Sequence, residues 1–150
     1  MKRSFPAMIL LAVALAILTG CYYQYTNSRM LPNTTINAGK GYYVVRHAND
    51  PRKIDLTVAE EMRAMGLHHV SSGLEGDMPA GTDVVVFYED RWMWDMTNYL
   101  IMLKVQFRDA SSNLLIARGQ SVRSSLVRKS VEGMVQETLV AIFNYQADEV

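Results

Sequence analysis

The run Val84-Val85-Val86-Phe87-Tyr88 restricts the fold of this 150-residue chain more than any other stretch. Its residues are β-branched or aromatic, which suits a pleated strand and disfavours a helix. It is apolar at odd and even positions alike, so both of its faces need cover. A strand covered on both faces belongs in the interior of a sheet, with a neighbour on either side.

Those neighbours are legible. Tyr42-Tyr43-Val44-Val45 reads as a strand, closed by Asn49-Asp50-Pro51. Thr57 and Glu60 form a capping box ahead of Val58, Met62 and Met65 at helical spacing, and Gly66 suits that helix's end. Residues 67–70 suit a short strand, and residues 73–81, with Pro79, a loop. Tyr99, Ile101, Leu103, Val105 and Phe107 occupy alternate positions, with Lys104, Gln106 and Arg108 between the later ones, the pattern of a strand with one face on a core. Asp109-Ala110-Ser111-Ser112-Asn113 has the composition of a hairpin turn, and residues 114–122 return as its partner. Val127, Val131, Met134, Val135, Thr138, Leu139, Ile142 and Phe143 then make one buried stripe of a long helix, with Ser124 or Ser125 as cap. The order β-α-β-β-β-β-α predicts an α+β two-layer sandwich, mainly antiparallel, with two helices on one face of the sheet.

The chain opens with a leader. Lys2 and Arg3 precede a twelve-residue apolar run at 7–18, within the ~7–15 of a secretory signal and short of the ~20 that a membrane span needs. The same run is compatible with an uncleaved anchor or a signal cut at an ordinary site. Leu18-Thr19-Gly20-Cys21, however, resembles the lipobox of bacterial lipoproteins residue by residue. That resemblance implies cleavage before Cys21, acylation of its sulfur and amino group, and attachment to a membrane through those chains. Tyr22 stands where an aspartate would retain such a protein in the inner membrane, which implies the outer membrane and a periplasmic domain.

Cleavage divides the chain into a signal peptide at 1–20, an acylated tether at 21–40 and a domain at 41–146. The tether lacks an apolar period and holds Asn27, Ser28, Pro32, Asn33, Thr34, Thr35, Asn37 and Gly39. Tyr22, Tyr23 and Tyr25 beside the lipid site suit headgroups, or are simply part of a linker. The 130 residues after the leader carry 13 basic and 15 acidic side chains, which is no electrostatic footprint for nucleic acid. Cys21 is the only cysteine, so its acylation leaves no thiol for a disulfide, a metal or a nucleophile.

Three groups are candidate sites. Trp92, Trp94 and Met96 lie in Glu89-Asp90-Arg91-Trp92-Met93-Trp94-Asp95-Met96, which holds both tryptophans. As a hairpin tip they would expose a contact surface for a partner or a membrane; on longer strands they would all point into the core. Arg123, Arg128 and Lys129 surround the start of the last helix, where an anion such as a lipid phosphate can bind, or they belong to a solvated face of mixed charge. His47, His68 and His69 lack metal-ligand spacing, and neither a phosphate loop nor a nucleophile elbow is present, so no catalytic residue, metal or cofactor is assigned.

The layout of residues 42–145, with Gly66, Thr82-Asp83-Val84-Val85-Val86 and the later hairpin from Val105 to Gly119, resembles small envelope lipoproteins of unassigned function. It is similar in arrangement to the amino-terminal domain of the Tol-Pal translocation protein. The resemblance implies a non-catalytic accessory or structural component of an envelope assembly, with a protein partner or further copies of itself. A binding module for an envelope glycolipid or polysaccharide is a second expectation, and a hydrolase with an unrecognised site a third.

Overall fold

A computed structural model describes residues 23–148; the leader and Cys21 lie outside the described residues. The strands are β1 (Gln24–Met30), β2 (Tyr42–Val45), β3 (Val70–Gly73), β4 (Val84–Asp95), β5 (Thr97–Asp109) and β6 (Leu115–Arg123). The helices are α1 (Ile54–Ala64) and α2 (Val131–Asp148). The strands form one sheet in the order β1-β6-β5-β4-β2-β3. As expected, β4 lies inside it, antiparallel to β5 and parallel to β2. Val84, Val86 and Tyr88 of β4 join the main core with both helices, whereas Val85 belongs to a smaller cluster with Tyr43 and Val45, against which Phe87 packs. This is the α+β sandwich predicted, but the sheet is mixed: β2, α1 and β3 form a parallel unit, and β3 and β4 flank β2.

The segment read as a tether contains a strand. β1 pairs with β6 along its whole length, from Gln24↔Arg123 to Met30↔Ala117. Met30 and Ile36 are buried, and the Gln146 side chain holds both backbone groups of Ile36, at 2.9 and 3.1 Å. No apolar period marks β1 because polar contacts replace hydrophobic ones there. Thr26 bonds Glu137, and Ser28 donates to the Ala141 carbonyl at 2.7 Å, so the edge strand is tied to α2 by hydroxyls. The first described residue, Tyr23, is already tied to the sheet: Tyr23 N donates to Ser124 Oγ and Ser124 N to the Tyr23 carbonyl.

Both helix starts differ from expectation for local reasons. The Asp50 carboxylate accepts the amides of Arg52 and Ile54, both at 2.8 Å, so α1 begins three residues ahead of Thr57. Gly66, at φ +93°, ends it in a conformation that a side chain would strain. In α2 the cap is Ser130, whose hydroxyl accepts the Gly133 amide at 3.1 Å; Ser125 and Val127 lie in a separate 3₁₀ turn (Ser125–Val127). Met134, Val135, Thr138, Leu139 and Ile142 are buried as the stripe predicts.

Candidate functional site

The β4–β5 hairpin runs well past its neighbours. The last β5–β6 partners are Met102↔Val122, and residues 97–101 continue beyond them by roughly 15 Å at the rise of a strand. A bulge sits at the point of departure: Arg91 faces Met102 but Trp92 faces Leu100, so β5 carries one extra residue, Ile101. The bulge switches the alternation of β5, which lets both Leu103 and Leu100 point into the core. An unbroken alternation read from Tyr99 to Phe107 could not reveal it.

This geometry separates the three tip residues. Trp92 is half-buried, packs on the main core and donates its indole N–H to Asp90. The Arg52 guanidinium covers its ring, 3.9 Å from the centroid. Trp94, two residues further, has passed the end of the core and is 72% exposed. Met96 forms the apex, 89% exposed at φ +59°, and Met93 is 51% exposed. Leu126, in the 3₁₀ turn after β6, is also exposed. The longer strands foreseen in the core-packing alternative are present, but only Trp92 packs.

Arg128 buttresses the tip. It lies 4.1 Å above the centre of the Tyr99 ring, bridges to Asp95 at 3.0 Å and donates to Thr97 Oγ1 at 3.0 Å. Arg123 and Lys129 instead converge on Glu137, Lys129 at 2.8 Å. Glu137 also accepts from Thr26 and from Ser121, the latter at 2.8 Å. Burial alone would raise its pKa; the bonds from Lys129, Thr26, Ser121 and Arg123 outweigh that and hold it at about 2. The positive charge near the start of α2 is thus matched by carboxylates of the chain itself. Sequence spacing missed this because Glu137 reaches Arg123 only when α2 folds back over β6.

A polar cluster lies beyond the carboxyl end of β2. Asp55, fully buried in the first turn of α1, is held by Arg46 through Nε and Nη2, both at 2.9 Å. Tyr88 donates to Asp50 at 2.7 Å, and burial, then that bond, push its phenol pKa up. His47 donates from Nε2 to the Tyr88 carbonyl at 2.6 Å and stacks edge-on against its ring. His47 lines only a shallow, open groove with Glu89 and Gln106. His68 and His69 are exposed ahead of β3, and among the described residues no three His, Asp or Glu gather as a metal site.

No protein-family model and no curated protein sequence matches the chain. Among solved structures, the fold is similar to the PelC dodecamer of Paraburkholderia phytofirmans, with a TM-score of 0.58 and 13% identity over 79% of this chain and 98% of that one. A single-substitution variant of the same PelC, also a dodecamer, aligns with a TM-score of 0.59 and 14% identity over 78% of this chain and 97% of that one. At these identities the likeness is one of fold.

Proposed function

We propose that this protein is a lipid-anchored outer-membrane lipoprotein that serves, without catalysing a reaction, as an accessory or structural component of an envelope assembly. The observation that carries the reading is the β4–β5 tip. It holds Trp94, Met93 and Met96 in solvent on a hairpin buttressed by Arg128, and large exposed apolar side chains gathered at one place mark a contact surface. The fold's likeness to a protein that forms dodecamers supports an oligomeric assembly. Among the described residues the sheet ends in β1 on one side and β3 on the other, edges through which copies can meet.

Crosslinking in intact cells, followed by native mass determination of the detergent-solubilised protein, tests the assembly. A discrete homo-oligomer or a fixed partner is expected, and a lone monomer overturns it. Mass spectrometry of the Cys21 peptide tests the anchor: two or three acyl chains are expected, and an unmodified cysteine or an uncleaved leader overturns it.

The outer face of the sheet favours a second reading, a binding module for an envelope polysaccharide. Asn27, Lys104, Arg118 and Gln120 line a polar depression of about 140 Å³ there. Retention on envelope polysaccharide that is lost in Arg118→Ala supports it; no retention of the parent protein removes it.

A further inference from the structure

We infer that the exposed β4–β5 tip docks on the surface of the lipid bilayer that holds Cys21, with Trp94 and Met96 seated among the headgroups. The inference rests on the lipoprotein reading and names the occupant of the contact surface identified there.

Topology carries the argument. β4 runs toward the tip, β5 away from it, β6 toward it and β1 away from it. The first described residues therefore lie at the tip end of the sheet. Tyr23 is fixed there by two hydrogen bonds to Ser124, beside the Gln24↔Arg123 pair. Cys21 is two residues from Tyr23, and two residues span at most about 7 Å. The long tether read from the sequence would have let the domain hang free at any angle. With β1 in the sheet, that slack is gone.

The hairpin projects from this same end, and its chemistry suits the interface. Tryptophan concentrates at membrane–water boundaries, where its ring is apolar and its N–H finds water or a headgroup. Leu126 and Tyr23, both exposed, lie at the same end of the sheet, next to the last residues of β6. Behind the apolar apex sit two guanidinium groups, Arg52 over Trp92 and Arg128 over Tyr99. Arg52 forms no salt bridge among the described residues, which leaves its charge to a lipid phosphate.

The two tryptophans of the chain both lie in this hairpin, so fluorescence excited selectively at tryptophan reports on it alone. The acylated full-length product is reconstituted in vesicles of phosphatidylethanolamine and phosphatidylglycerol, with and without bromine on the acyl chains. The expected result is a shift of emission to shorter wavelength and quenching of about twofold by brominated lipid, as for an indole at the interface. Trp92→Phe, which leaves Trp94, should keep the quenching, and Trp94→Phe should lose most of it. If mass spectrometry finds the acyl chains and the parent protein is nevertheless unquenched by brominated lipid, the docking inference fails while the lipoprotein reading stands. Trp94 shielded from aqueous quencher but untouched by brominated lipid assigns the tip to a protein partner and likewise overturns it. If Cys21 carries no acyl chain, the lipoprotein reading fails first and takes the inference with it.

Discussion

Arg123 near the end of β6 forms an ion pair with Glu137 in the middle of α2, and the same arginine holds the Gln24 side chain on β1. The edge strand, its neighbour and the covering helix are thereby locked at one point, the end of the sheet from which the tip projects. Glu137 is the centre of this lock, with Lys129, Thr26 and Ser121 as its other donors.

Glu137→Gln should lower unfolding free energy at neutral pH by about 2 kcal/mol, less than the ~3–5 of a fully buried pair because Lys129 is partly in water. The pH dependence has a definite sign. Folding holds the carboxyl at about 2 against an ordinary value of 4.5, so its stabilisation is full above about pH 4.5 and is lost as pH falls toward 2. Urea unfolding from pH 7 to pH 2 should show a steeper acid-side loss in the parent than in the variant. Parallel curves would remove Glu137 from the lock.

At Gly119 β6 and α2 approach closely. A Cβ there would stand 2.7 Å from Ile142 Cγ1 and 3.0 Å from the Thr138 carbonyl oxygen. Gly119→Ala should destabilise by about 1–3 kcal/mol through overpacking. Adding Ile142→Val should recover part of that loss, as measured by the denaturation midpoints of the two variants. No loss in the single variant would mean that α2 lies further from the sheet.

Asp50 starts α1 and receives the Tyr88 hydroxyl. Burial raises its pKa, but the bonds from Tyr88, Ile54 and Arg52 outweigh it and the net shift is downward. Asp50→Ala should cost about 1–2 kcal/mol, typical of a lost cap, and expose the first-turn amides of α1. Hydrogen exchange at Arg52 and Ile54 checks this; unchanged protection would contradict the assignment.

Met96 occupies a left-handed conformation at the apex of the hairpin, which a side chain adopts at a cost of roughly 1 kcal/mol. Met96→Gly should leave stability unchanged or raise it by up to about 1 kcal/mol. The same substitution should weaken the quenching of Trp94 by brominated lipid. A variant that gains stability and keeps its full membrane contact would show that Met96 is only a turn residue.

Much of this architecture follows from local pattern. The all-apolar run at 84–88 had to be an interior strand, the stripe from Val131 to Phe143 had to be a helix packed on one side, and Asp109 to Asn113 had to turn, because side-chain periodicity and turn chemistry act over a few residues; Val127, read as the first position of that stripe, lies in the preceding 3₁₀ turn. The strand at 24–30 was not legible, since its partners are a backbone ladder with β6 and hydroxyl bonds to α2, neither of which leaves a hydrophobic period. The partners of Arg123, Arg128 and Lys129 were hidden for a related reason: Asp95 and Glu137 are brought to them only by the return of the chain. Trp92, Trp94 and Met96 stood out by composition alone, yet their division into one packed ring and two exposed side chains depends on where the core ends along the hairpin. That end point is a tertiary quantity, set by the bulge at Ile101 and by the length of β6. The sequence carried the elements after β1 and the expected lipid anchor at Cys21. Only the assembled sheet set the start of β1 at the end from which the exposed tip projects, because strand direction and pairing decide which ends come together.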